Sequence, residues 1–181
     1  MKHGLSGATV WLTGLSGSGK STIANELARE LLNTSRLAYI LDADNLRHGI
    51  NNDLGYSDSD RTENIRRVAE VACLFADAGL VAIVPIISPF IASRESARKI
   101  HGEKKLRFIE VHVATPIDEC ERRDTKGLYA KARSGAIKGL SGFDSVYEPP
   151  THADVVVGAN NETLAQSVAA IMAKLLVRAG Q

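Results

Sequence analysis

The stretch Ala8-Thr-Val-Trp-Leu-Thr13, followed at once by Gly14-Leu-Ser-Gly-Ser-Gly-Lys-Ser21, decides how this 181-residue chain folds. The first segment is β-branched, aromatic or apolar throughout, which predicts a buried strand. The second matches G-x-x-x-x-G-K-S, a loop whose successive backbone N–H groups converge on one point and hold a nucleotide's phosphates. Ile23, Leu27 and Leu31 then recur at spacing four, so a helix begins at Gly19 or Lys20 and adds the positive end of its dipole at the same point. A plain glycine-serine turn leaves Lys20 unexplained, because a cation at a helix start opposes the dipole unless an anion sits there. Gly14, Leu15, Ser16, Gly17, Ser18, Gly19, Lys20, Ser21 and Thr22 are therefore the candidate ATP-binding set. Lys20 is expected to reach the β- and γ-phosphates, and the Ser21 hydroxyl to ligate Mg²⁺.

Outward from this unit, strands and helices alternate. Leu37–Leu41 reads as a second strand ending at Asp42-Ala-Asp44-Asn45, where Asn45 can start a short helix. A polar stretch from Asn51 to Asp60 leads into a long helix with Ile65, Val68, Ala72 and Phe75 on one face and a stop at Gly79. Leu80–Ile87 is nearly all apolar, as in a strand covered on both faces, with regular pairing expected to end at Pro85. A charged helix (Ser93–His101), the strand Arg107–Val113, and a helix opened by Thr115 as cap with Pro116 in its first turn follow. Arg122 to Gly142 shows no core face. Asp154–Val157 is a last short strand, and Asn161 can cap a final helix with Leu164, Val168, Ile171, Met172 and Leu175 inward. The alternation implies a parallel sheet with helices on both faces, in one domain spanning 1–181.

Hydrophobic and charged fractions of 44% and 24% are those of an ordinary soluble globular protein, and a net charge of +1 gives no support for a nucleic-acid-coating surface. No segment approaches membrane-span length, and the start lacks a signal peptide's apolar stretch, so a cytoplasmic protein is expected. Cys73 and Cys120 are far apart and read as core thiols. His48, His101, His112 and His152 lack metal-ligand spacing, and Trp11 falls within a core strand.

Ligands of parallel α/β sheets bind at the carboxyl ends of the strands, so the phosphate loop, Asp42–Asp44, Ser88-Pro89 and the Thr115-Pro116 turn should share one crevice. On extended backbone Asp42 and Asp44 point the same way. Beside a triphosphate, one such carboxylate can support the metal and another can take a hydroxyl proton. Arg47, Arg61, Asn64, Arg66 and Arg67 form a second cluster. In a helix Arg61, Asn64 and Arg67 share a face suited to a planar anionic substrate, or to pairing with Asp58, Asp60 and Glu63. From Glu121 to Lys138 there are six cations against two anions. With glycines at 127, 135, 139 and 142, this reads as a basic lid over approximately 122–147. Ser88 fits a strand-end cap, a phosphate contact or a modified nucleophile.

Seven segments in this order resemble the adenylylsulfate kinase (APS kinase) family. They are Gly14–Ser21, Leu41-Asp-Ala-Asp-Asn-Leu-Arg-His-Gly49, Arg61-Thr-Glu-Asn-Ile-Arg-Arg67, Phe75-Ala-Asp-Ala-Gly79, Ile87-Ser-Pro-Phe90, Arg123-Asp-Thr-Lys-Gly-Leu-Tyr129 and Asp144-Ser-Val-Tyr-Glu148. The resemblance runs from about Gly7 to Val157. It implies the P-loop NTPase fold and transfer of phosphate from ATP to the ribose 3′-hydroxyl of adenosine 5′-phosphosulfate (APS), giving PAPS. It also implies that Asp42, Asp44, Arg47, Arg61, Asn64, Ile87, Ser88 and Lys126 line the APS site, with Ser88 at the position of the family's phosphoserine. Positioning and charge stabilisation favour direct in-line transfer, with Asp44 orienting or deprotonating the hydroxyl and Asp42 supporting Mg²⁺ through water. Tyr56 matches an aromatic position near the substrate. Three residues depart from the family pattern: Ala43 replaces a glycine, Ile91 a polar residue, and Leu140 a phenylalanine that stacks on the APS adenine, for which Phe143 is expected to compensate. A homodimer is expected, and any ATP sulfurylase partner is expected as a separate chain or as a domain outside this sequence. Rival readings are a kinase of a nucleotide, shikimate or gluconate, and a nucleotide-binding regulatory module. A GTPase switch is weaker, because no Asn-Lys-x-Asp motif occurs.

Overall fold

The computed structural model describes residues 7–160 and 162–177. Strand β1 (Ala8–Thr13) is buried at every position and sits at the centre of a five-stranded sheet. With β2 (Ala38–Ile40), β3 (Val81–Pro85), β4 (Arg107–Val113) and β5 (Val155–Val157), the order is β2-β3-β1-β4-β5. Every pairing is parallel, with Val10 opposite Ile83 on one side and Ile109 on the other. The alternation along each strand builds two cores. Val10, Leu12, Ile83 and Val111 point into one with Ile23, Leu27 and Leu31 of α1 (Lys20–Asn33) and Val168 and Ile171 of α7 (Leu164–Leu176). Trp11, Ala82 and Val84 point into the other with Ile65, Val68 and Ala72 of α3 (Asp58–Asp77) and Ala97 of α4 (Ile91–Glu103). Successive side chains of a strand alternate faces, so an uninterrupted apolar strand demands this double cover.

Three short helices complete the described residues: α2 (Ala43–His48), α5 (Ile117–Arg123) and α6 (Leu128–Arg133). Regular pairing of β3 ends at Pro85, although the Ile86 N–H still donates to the Leu12 carbonyl at 3.0 Å. Cys73 and Cys120 are buried free thiols. No helix among the described residues is long and apolar enough to cross a membrane.

Several local expectations need correction. Asp42 and Asp44 do not share an extended segment: Asp42 keeps extended dihedrals but is the N-cap of α2, its Oδ1 accepting the Asp44 and Asn45 N–H groups at 2.9 and 3.1 Å, and Asp44 lies within the helix. The local reach of an Asp side chain to the backbone wins over strand continuation. Thr115 does not cap α5. Its hydroxyl donates to the Ser18 carbonyl at 2.9 Å, and Pro116 is the capping residue. Asn161 lies outside the described residues. Thr163 caps α7 in a reciprocal box with Gln166, which leaves Leu164 largely exposed. The segment after Arg122 does own a core face, since Tyr129 and Leu140 bury against Cys120 with Leu15 packed beside them.

Candidate active site

The strand order reverses at β1: the chain passes from β1 outward to β2, and from β3 across β1 to β4. Such a switch point leaves a crevice at the carboxyl ends of the strands. Here it is a cleft of about 790 Å³. One wall is the phosphate loop. Gly17 at φ +75° lies so close to α5 that an added Cβ would stand 2.8 Å from the Cys120 carbonyl oxygen. Only glycine adopts that backbone without strain and fits the gap. Ser16, Gly17, Gly19, Lys20, Ser21 and Thr22 face the cleft. Gly14, Leu15 and Ser18 form the body of the loop behind them: Ser18 is buried, and Leu15 packs on the lid cluster. Lys20 Nζ donates to the Gly14 and Leu15 carbonyls at 2.9 and 2.7 Å. Burial is the main cause that lowers its pKa to about 8, because desolvation disfavours the ammonium.

The opposite wall carries the residues expected to hold the acceptor. Asp42, Asp44, Arg47, Tyr56, Arg61, Asn64, Ile87, Ser88, Lys126 and Leu140 all line this same cleft. The geometry refines several of them. Asp44 Oδ2 receives Lys126 Nζ at 2.5 Å, a contact between two largely exposed groups that bridges α2 to the lid. The Arg47 guanidinium covers the Tyr56 ring at 4.4 Å and donates to the Gly55 carbonyl at 2.9 Å. Arg61 joins both sides of the cleft, donating to the Tyr56 carbonyl at 2.9 Å, to Ser141 Oγ at 2.7 Å and to the Gly139 carbonyl. Buried Asn64 accepts from Asn51 Nδ2 at 2.9 Å, which fixes its amide. Arg66 and Arg67 leave the site. Both bond Glu63 and hold its carboxyl down to about 2, and Arg67 also bonds Asp53. The helix face expected to carry Arg61, Asn64 and Arg67 together thus splits between substrate cleft and surface pairing.

Ser88 is almost fully buried and sits at φ +42°, with Oγ accepting from Trp11 Nε1 at 3.1 Å. Leu140 reaches the cleft from the Cys120–Tyr129 cluster, but Phe143 does not take up the expected compensation. Its ring meets Tyr129 edge-on at 6.3 Å and lies under the Arg133 guanidinium. The lid rests on the phosphate loop through the Tyr129 hydroxyl, which donates to the Ser16 carbonyl at 3.0 Å. Of its six cations, Arg122 and Arg123 pair with Glu119, Lys126 with Asp44, and Arg133 with Glu121.

Two lid cations that sequence did not single out, Lys138 and Arg123, line the cleft, and a third contributor escaped the sequence reading altogether. Lys138 was legible as the cation just before Gly139-Leu140, though the charge run blurred it. Arg94, below Ser88, pairs with Glu110 at 2.7 Å, both nearly buried. The available signal was Glu110 itself, an acid between Ile109 and Val111 in a largely buried strand, which must find a partner. Among the described residues no cluster of three or more His, Cys, Asp or Glu could hold a metal. Ser21, Asp42 and Asp44 facing one cleft do fit Mg²⁺, which takes one or two protein oxygens together with phosphates and water.

Comparison with known proteins agrees with this geometry. The family profile described as adenylylsulphate kinase matches residues 6–158. An adenylyl-sulfate kinase of Clostridium acetobutylicum is 54% identical over 157 residues, covering 87% of this chain and 77% of that protein. A bifunctional CysN/CysC enzyme of Mycobacterium tuberculosis is 54% identical over 149 residues, 82% of this chain but 24% of that longer protein. The structure of the Mycobacterium tuberculosis APS kinase CysC in complex with AMPPNP and APS superposes with a TM-score of 0.91 at 47% identity, covering 94% of this chain and 98% of that one. A phosphate loop facing an acid- and arginine-lined acceptor wall, together with this depth of similarity, places the chain in the adenylylsulfate kinase family.

Proposed function

We infer that the protein transfers the γ-phosphoryl group of ATP to the ribose 3′-hydroxyl of APS, giving PAPS and ADP. The observation that carries this is convergence: six residues of the phosphate loop and ten expected acceptor residues from five separate segments meet in one cleft. Loop N–H groups and Lys20 hold the donor phosphates, and the lysine exchanges its bonds to the Gly14 and Leu15 carbonyls for phosphate oxygens. Arg47, Arg61 and Asn64 present donors to the anionic acceptor, and Tyr56 and Leu140 flank its base. Ser21, and Asp42 through water, would hold Mg²⁺, which when bound neutralises charge on the transferring phosphoryl group.

Asp44 orients the 3′-hydroxyl and accepts its proton as oxygen bonds to phosphorus and the bond to ADP breaks. Lys126, released from Asp44 by the incoming substrate, becomes free to neutralise phosphoryl charge, and the lid excludes water. Direct transfer is supported over a Ser88 phospho-intermediate, because the Ser88 hydroxyl is buried and occupied by Trp11. Ser88→Ala is accordingly expected to keep near-normal turnover, and its complete inactivity would restore the covalent route.

A coupled assay with ATP and APS, followed by product identification, tests the reading. Turnover of a nucleotide, shikimate or gluconate without 3′-phosphorylation of APS would overturn it. Asp44→Asn should lower kcat by about 10²- to 10⁴-fold with ATP affinity retained, and unchanged kcat would remove Asp44 as the base. A cytoplasmic homodimer served by a separate sulfurylase is proposed alongside. Light scattering at the single-chain mass would overturn the dimer.

A further inference from the structure

The Ser88 turn is held from below by more than its neighbours in sequence require. A serine at φ +42° is costly unless its surroundings enforce it. Trp11 Nε1 binds its Oγ, Thr13 Oγ1 donates to the Ile87 carbonyl at 2.6 Å, and Arg94 Nη1 donates to the Ser88 carbonyl at 2.6 Å. Arg94 is 2% exposed, and its other nitrogens are committed as well. Nε donates to Glu110 Oε1 on β4 and Nη2 to the Glu148 carbonyl, each at 2.7 Å. Glu148 follows the lid. Its own N–H donates to the Pro89 carbonyl at 2.8 Å, and its Oε2 accepts the Ile91 N–H at 2.7 Å.

One guanidinium therefore bonds the cleft floor, the central sheet and the C-terminal root of the lid at once. Stability alone does not call for it, since a buried ion pair is commonly no better than an apolar pair of similar volume. Three directional bonds from one planar group are what arginine supplies and lysine does not. We propose that Arg94 is a positioning residue that locks the Ser88 turn to the lid root at Glu148, so that the acceptor floor and the lid's anchor are set as one unit. The proposal rests on the reading of Ser88 as part of the acceptor site, and wild-type turnover of APS tests that reading separately.

The experiment compares Arg94→Lys with Glu110→Gln, which weakens the buried pair but leaves both carbonyl acceptors to Arg94. Trp11 is the sole tryptophan, so intrinsic fluorescence reports on the Ser88 turn. Arg94→Lys is expected to lower kcat/KM for APS at least tenfold, to keep the ATP dissociation constant within twofold, and to shift Trp11 emission. Glu110→Gln is expected to hold kcat/KM within threefold even if its melting temperature falls as far. Equal losses in both variants in step with melting temperature, or wild-type kcat/KM in Arg94→Lys, would overturn the proposal. Hydrogen exchange on the wild-type protein with ADP and APS covers a variant that fails to fold. The Ile91 and Glu148 amides should gain protection together, and independent protection of the two would count against the lock.

Discussion

The donor wall and the acceptor wall of the cleft are built on opposite principles. The donor wall is one contiguous stretch, Gly14 to Thr22, whose ligands are mostly backbone N–H groups and whose shape follows from its own glycines and the helix it starts. The acceptor wall is assembled from α2, the Tyr56 loop, α3, the end of β3 and the lid, and works through side chains. A site made from local backbone is robust to what surrounds it, whereas one made from distant side chains depends on every contact that sets their mutual distance. Arg61, bonded to Tyr56, Gly139 and Ser141, and Arg94, bonded to Ser88 and Glu148, are such contacts.

The sharpest way to break this contrast is Lys20→Met, which removes the one charged side chain of the donor wall. Its kcat should fall by about 10³-fold or more, with APS binding measured by calorimetry little changed. Loss of APS binding to the same degree would show the two walls to be one unit.

Gly142→Ala attacks their seam. At φ +85° an added Cβ would lie 2.3 Å from Leu15 Cδ2 of the phosphate loop. The variant should lose about 1–3 kcal/mol by denaturant unfolding and weaken both substrates together.

A pH titration isolates the donor wall again. With the pKa of Lys20 lowered to about 8 in the free protein and raised by bound phosphates, ATP binding takes up a proton above that pH. Affinity should be flat below pH 8 and then fall by up to about tenfold per pH unit, with APS affinity following no such curve. The sign for folding is opposite: between about 8 and 10.5 the unfolded chain holds more protons on this lysine, so its contribution to stability rises with pH. The smallest effect belongs to Leu140→Phe, which should lower KM for APS by about two- to tenfold through restored stacking and leave KM for ATP unmoved.

Most of the fold was legible, because its signals are periodic and local. β1 and β4 have the predicted ends, and α3 buries Ile65, Val68 and Ala72 as spaced. The misses lie where a side chain had a choice of partner. Asp42 turned to cap α2, Thr115 reached across to Ser18, and Thr163 took the cap of α7. Only the Thr115 partner, 97 residues away, is selected by proximity after folding; the Asp42 and Thr163 caps are local, and the Thr163-x-x-Gln166 spacing encodes the second.

The amino-acid sequence by itself determined a nucleotide-phosphate loop on a parallel sheet, because strand pattern, glycine placement and helix dipole all act within about 25 residues. It also supplied the order of segments that identifies the family. Only the tertiary structure decided that Arg61 and Asn64 enter the cleft while Arg66 and Arg67 leave it, that Phe143 meets Tyr129 edge-on instead of lining the cleft, and that Arg94 underpins Ser88. The reason is physical. A helix face assigns residues to a side but not to a neighbour, and the competition between Glu63, Asp53 and the substrate cleft for each guanidinium is settled only when those groups are packed within hydrogen-bonding distance.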